Sequence, residues 1–150
     1  MSAVIVRGAR LDDFEQWLPL WRGYQSFYET EIADTVTRET WRRFHDAAEP
    51  MHAAVAELEG RVVGIVHFIE HRSCWTTGDS MYLQDLFTEA SVRGRGVGRA
   101  LIEHVYERAR SLGCSRVHWL TQETNATAMR LYDDVADRSG FVQYRKLLER

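Results

Sequence analysis

The clearest chemistry in the chain lies in six consecutive residues, Arg93-Gly94-Arg95-Gly96-Val97-Gly98, with Arg99 directly after them. Glycines let an anion approach the backbone with no Cβ in the way. Three arginines around one turn supply positive charge. If a helix begins at this turn, its unpaired N–H groups and the positive end of its dipole face the same space, which makes a seat for phosphate or diphosphate. Two familiar phosphate turns are excluded. A P-loop requires Gly-Lys-Ser/Thr, and the chain has Gly98-Arg99-Ala100. A dinucleotide fingerprint requires Gly-x-Gly-x-x-Gly/Ala, and its last position falls on Arg99 or Leu101. What remains is Arg93-x-x-Gly96-x-Gly98.

The elements around the turn suit that use. Residues 81–87 form an apolar run of strand length. After the turn, Val97, Leu101, Val105, Ala109 and Leu112 recur at helical spacing, and Gly113 is a stop signal. The pattern predicts a strand, a glycine-rich turn and a helix. Other polar groups with a use in catalysis are Gln84-Asp85 inside the apolar run and the acidic stretch of Glu29, Glu31 and Asp34. A solvated acidic loop is the plain reading of that stretch; attraction of a cationic ligand is the other. The six histidines show no metal-ligand spacing, and Cys74 and Cys114 match neither a zinc nor a redox motif.

The chain has 150 residues, 45% hydrophobic and 27% charged, with a formal net charge of -3. That is enough for one domain, residues 1–150, with a core of its own. Nothing in the charge balance points to nucleic acid. No apolar run reaches membrane-spanning length, and acidic residues come too early for a signal peptide, so the expected compartment is the cytoplasm.

Along the chain, residues 3–7 read as a strand. A helix opens after Asp12 or Asp13, either of which suits a cap, and Phe14, Trp17, Leu18, Trp21, Gln25 and Tyr28 share one of its faces. Pro19 predicts a kink or a break in it. A loop over residues 28–34 leads to a second helix after Thr37. Residues 52–58 and 61–70, separated by Glu59-Gly60, predict a hairpin. After the third helix come a strand at 116–121, a helix from Thr124-Asn125, and a last strand at 142–148. The order β-α-α-β-β-β-α-β-α-β predicts an α/β (α+β) fold, a mixed, partly parallel sheet with helices on both faces.

The glycine turn, the strand Tyr82-Leu83-Gln84-Asp85-Leu86-Phe87 and the segment Gln122-Glu123-Thr124-Asn125-Ala126-x-Ala128-x-x-Leu131-Tyr132, with Gly140-Phe141 beyond, together resemble the GCN5-related N-acetyltransferase (GNAT) superfamily. Within it, the likeness is to enzymes acting on histones, polyamines and small amines. The resemblance covers essentially the whole chain. It implies a sheet of about six to seven strands flanked by helices, with central parallel strands that splay apart. It implies acetyl-CoA as cosubstrate, a small primary amine as acceptor with a protein lysine as the runner-up, and a homodimer; a non-catalytic acyl-CoA-binding module is the rival reading. Histidine spacing, charge and hydropathy add the expectation of no metal and of no nucleic acid or membrane as partner.

Residue by residue, the resemblance assigns the diphosphate to Arg93–Arg99, taking in Gly94, Arg95, Gly96, Val97 and Gly98. The backbone of Leu86, Phe87 and Thr88 would hold the pantetheine arm and offer an oxyanion donor, worth about 3 kcal/mol. Asn125 and Tyr132 are seven residues apart and share a helical face. The resemblance gives Asn125 to the cofactor arm and makes Tyr132 the general acid for the leaving thiolate. A phenol near pKa ~10 suits a thiolate leaving at ~8.5 or above. Tyr28, Glu29, Glu31 and Gln84 are the expected acceptor contacts. The base is the open point. Polyamine-acetylating relatives carry Glu-Asp where this chain has Gln84-Asp85, and Gln84 takes no proton. Asp85 is then either the base or a structural hydrogen-bonding residue, and Glu123 is the second candidate for the base, with Glu29 and Glu31 behind it.

Overall fold

The structure, a computed structural model, describes residues 3–149. The chain divides into two compact units, Met1–Leu120 and Thr121–Arg150. In the first unit, β1 (Ile5–Gly8) leads through a short 3-10 turn to α1 (Phe14–Phe27), then α2 (Asp34–Phe44), β2 (Met51–Leu58), β3 (Arg61–His71), β4 (Ser80–Thr88), α3 (Val97–Ser111) and β5 (Arg116–His118). The five strands lie in chain order, antiparallel except for the parallel pair β4–β5.

The two faces of the sheet are covered by different helices. On one, Trp17, Leu20 and Trp21 of α1 and Trp41 of α2 pack with Val55, Val62 and Ile65 of the strands. On the other lies α3, whose Val97, Leu101, Ile102, Val105 and Ala109 are buried. Residues alternate faces along a strand, so Gly64, next to Ile65, looks at α3. A Cβ there would lie 2.8 Å from Val97 Cγ1 and 3.1 Å from Leu101 Cδ1. Glycine at 64 is what lets the first turn of α3 rest directly on the sheet.

Several boundaries differ from the sequence pattern, each for a local reason. Helix α1 runs on through Pro19. Proline inside a helix costs about 3 kcal/mol, but Trp17, Leu20 and Trp21 on either side are buried, each worth about 2 kcal/mol. Asp13 stands at the α1 N-cap position but caps nothing there. Its carboxylate accepts instead from Arg7 Nη1 at 2.7 Å and Nη2 at 2.9 Å, and from the Arg10 amide at 2.7 Å. Helix α2 starts at Asp34 rather than after Thr37, from an N-cap Ala33 that carries no side-chain signal. The hairpin turn falls on Glu59 and Gly60, both at positive φ, as a tight two-residue turn requires.

Strand β5 is three residues long instead of six, so β4 has β5 beside it only from Ser80 to Tyr82. Beyond Tyr82, residues 83–88 pair with β3 alone, the splaying expected of the central strands. Among the described residues the sheet therefore has five strands, not six or seven, and residues 142–148 form no strand. Strand propensity needs a ladder to act on, and among the described residues none pairs with this segment. Phe141, Val142, Tyr144, Leu147 and Leu148 are exposed. The second unit is built on α4 (Ala126–Val135).

Candidate active site

Strand β4 carries the site at both its end and its middle. At its end the chain passes through a 3-10 turn at Ala90–Val92 into the glycine turn. Gly94 and Gly96 both have φ +82°, and a Cβ at either would meet nothing within 4 Å. Gly96 is the N-cap of α3; no side chain caps that helix and its first turn holds no acid. No side chain caps this end, and at Gly94 and Gly96 nothing crowds it, the local form that a diphosphate seat takes. Arg95 and Arg99 are exposed there. Arg93 is used differently. Its Nε donates to the Thr88 carbonyl at 3.3 Å, and its guanidinium lies 5.7 Å from the centre of the Phe87 ring. It ties the turn back onto the strand end.

The middle of β4 holds a second constellation. The register pairs Phe68 with Leu83 and His67 with Asp85, so Gln84 is an extra residue, a bulge. Phe68 meets His104 of α3, which places Leu83 on the α3 face, since cross-strand partners share a face. Simple alternation would put Asp85 there too. The bulge reverses the parity, and Asp85 comes out on the α1 face beside His67. Gln84 itself is exposed.

Asp85 Oδ2 lies 2.9 Å from His67 Nδ1, and His67 Nε2 lies 2.9 Å from the indole Nε1 of Trp17. His67 is 2% exposed. Three tyrosines lie close enough to the same carboxylate to feel its charge. Burial first, then the charge of Asp85 and a hydrogen bond to it, push the Tyr24 phenol far above its ordinary range. Burial and the Asp85 charge likewise raise Tyr28 and Tyr82. Tyr24 and Tyr28 rings are 4.9 Å apart, and Tyr24 also meets Phe87 at 6.4 Å. A carboxylate among phenols and aromatic faces is a seat for a cation.

Of the expected acceptor contacts, Tyr28 joins this cluster. Glu29 is exposed at the exit of α1, with φ 53°. Glu31 opens elsewhere, into a cleft of about 370 Å³ between α1 and α2 that Arg22, Gln25, Asp34 and Thr37 also line. Buried Gln25 shapes that loop by accepting from the Ile32 amide at 2.8 Å. Sequence reasoning missed Trp17, Tyr24, Tyr82 and His67 as parts of a site. Two signals were there to be read. Trp17 and Tyr24 are seven apart on one stripe of α1. A lone histidine stands inside the apolar run of β3, where a buried ring nitrogen must find partners.

In the second unit, Asn125 is the N-cap of α4, its side chain accepting from the Ala128 amide at 3.4 Å. Tyr132 lies two turns further on, half-buried. Glu123 is exposed before the helix. Among the described residues no group of three or more His, Cys, Asp or Glu is arranged to hold a metal ion.

A model of the Acetyltransferase (GNAT) family matches residues 14–136. The chain belongs to the GNAT acetyltransferase family. It is an acetyltransferase and acetyl-CoA is its cosubstrate. A D-amino-acid N-acetyltransferase of Saccharomyces cerevisiae is 35% identical over 95% of this chain and 90% of its own length. A thialysine N-epsilon-acetyltransferase of Mus musculus is 27% identical over 97% and 93%. Among solved structures, a probable acetyltransferase aligns with a TM-score of 0.85 at 19% identity, over 97% of this chain and 99% of that one. At that identity the likeness concerns the fold alone.

Proposed function

We propose that this acetyltransferase acts on the primary amine of a small, amino-acid-like acceptor, with Asp85 as the group that receives the ammonium and takes its proton. The observation that carries the reading is the Asp85 carboxylate among Tyr24, Tyr28 and Tyr82. An alkylammonium, largely protonated at neutral pH with a pKa of about 10.4, is drawn to such a seat and must lose a proton before it attacks. Support for an amino-acid-like acceptor comes from the relatives, which are named for D-amino acids, thialysine and L-ornithine.

Acetyl-CoA supplies the activated acetyl group. The turn from Arg93 to Arg99 would hold its diphosphate, the backbone of Leu86, Phe87 and Thr88 its pantetheine arm, and Asn125 would contribute to that arm from α4. The deprotonated amine attacks directly, with no acyl-enzyme: an N–C bond forms and the C–S bond breaks. Tyr132 gives the departing thiolate its proton, and the second proton, shed by the new amide nitrogen, restores the phenol through water. No serine or cysteine beside a base is called on.

The test is release of free thiol from acetyl-CoA with a panel of amines: D- and L-amino acids, thialysine, ornithine, spermidine and a lysine peptide. Turnover is expected with amino-acid-like amines above the rest. Turnover with the peptide alone would make the acceptor a protein, and no turnover with any amine would overturn the reading.

A further inference from the structure

The proposed chemistry uses Asp85 but leaves the two side chains behind it without a task. Trp17 is fully buried and His67 2% exposed. An indole N–H can only donate, so the 2.9 Å bond from Trp17 Nε1 requires a lone pair on His67 Nε2. The ring proton of the neutral imidazole then sits on Nδ1, 2.9 Å from Asp85 Oδ2, which accepts it. The direction of the whole chain follows from one donor-only group. Protonating Nε2 would set two N–H groups against each other. The ring has little room to turn away: its centre lies 4.9 Å from that of Trp21, 4.7 Å from that of Phe44 and 5.8 Å from that of Trp17.

We infer that Trp17 and His67 are positioning residues for acetyl transfer, fixing the imidazole as its Nδ1–H tautomer so that one Asp85 oxygen is tied down and the carboxylate is aimed at Tyr24, Tyr28 and Tyr82. The same arrangement closes the inward route for the acceptor's proton. With Trp17 in place His67 cannot receive it, so the proton stays on Asp85 until water removes it. Oriented, desolvated groups of this kind act through geometry, because a misplaced base loses most of its effect. The inference rests on the reading that Asp85 faces the acceptor amine.

Two measurements test it. In the wild-type protein, long-range 1H–15N correlation of the His67 ring is expected to show a protonated Nδ1 and a bare Nε2. A proton on Nε2, or an imidazolium, overturns the inference and needs no variant to be made. In steady-state kinetics, His67→Leu removes the donor to Asp85, while His67→Asn keeps an N–H near the position of Nδ1. The leucine variant is expected to lose on the order of 10²-fold in kcat, with the KM for acetyl-CoA changed by less than about twofold. The asparagine variant should recover most of that loss. Equal loss in both variants, or a loss that tracks melting temperature alone, means His67 is merely structural. If the wild type acetylates no amine, the functional reading falls and the positioning role with it. If the wild type is active and the leucine variant equally so, only the positioning role falls.

Discussion

Two regions hang from the same strand and are made in opposite ways. The glycine turn after β4 is contiguous in sequence, open to solvent and chemical mainly through its backbone. The Asp85 cluster in the middle of β4 is half-buried over a buried base of Trp17 and His67, and chemical through side chains brought from α1, β3 and β4. In the turn, residue spacing alone sets the geometry: glycines at positive φ followed by a helix that no side chain caps. In the cluster, spacing says little, because whether Asp85 points at His67 or into the α3 face depends on one extra residue, Gln84. Anion sites built from backbone can be read locally, whereas a carboxylate site built by convergence can be read only once the strand register is known.

The sharpest way to break the comparison is Asp85→Asn, which keeps the shape of the cluster and removes its one base. On the proposed chemistry kcat is expected to fall by on the order of 10²- to 10³-fold. Gln84→Ala, which keeps the residue count and so the bulge, should stay close to wild type. If Asp85→Asn folds and keeps its activity, the convergent cluster is not where the acceptor's proton goes. Next in size is Gly96→Asp. A side chain at φ +82° costs about 1–2 kcal/mol, and its charge would oppose a bound diphosphate at the helix mouth. Together these should weaken acetyl-CoA binding by roughly 10²-fold in calorimetry. Unchanged binding would move the diphosphate away from this turn.

How much was legible in the sequence follows the same divide. The β3 hairpin partner, the strand-turn-helix unit from β4 to α3 and the stop at Gly113 were all carried by local signals, and the structure keeps them. The start of α2 escaped because Ala33 caps nothing. Residues 142–148 have the composition of a strand, but composition provides no neighbour to pair with. Tyr28 was read as an acceptor contact at the start of a loop; it is the C-cap of α1, one turn after Tyr24, and lies near Asp85. Glu31 was read from the same loop and lines a different cleft. His67 looked like an isolated histidine because its partners are 50 residues before it and 18 after it.

Tyr132→Phe extends the comparison to the second unit and should act on one step only. Removing the phenol proton is expected to lower kcat by about 10- to 100-fold, with acetyl-CoA affinity nearly intact. Turnover equal to wild type would remove Tyr132 as the acid.

The smallest effect on activity is expected where the cluster's scaffold is pinned. Helix α1, which carries Trp17 and Tyr24, is anchored at its start by the buried carboxylate of Asp13 on Arg7, which also binds Glu57. The hydrogen bond from Arg7 holds the Asp13 carboxyl below its ordinary value, against the opposing pull of burial. A depressed folded value means the carboxylate stabilises the fold above its unfolded pKa of about 4. That contribution is lost as pH falls through the lower, folded value. Melting temperature should therefore drop with acidification below about pH 4. In Asp13→Asn that part of the slope should disappear. At neutral pH the variant should melt on the order of 5 °C lower, the worth of one charged hydrogen bond of about 2 kcal/mol, because Arg7 keeps Glu57. Turnover below the melting transition should barely change. A large fall in kcat with the melting temperature intact would mean that the start of α1 reaches into the chemistry, and that the cluster extends further along the helix than Trp17 and Tyr24.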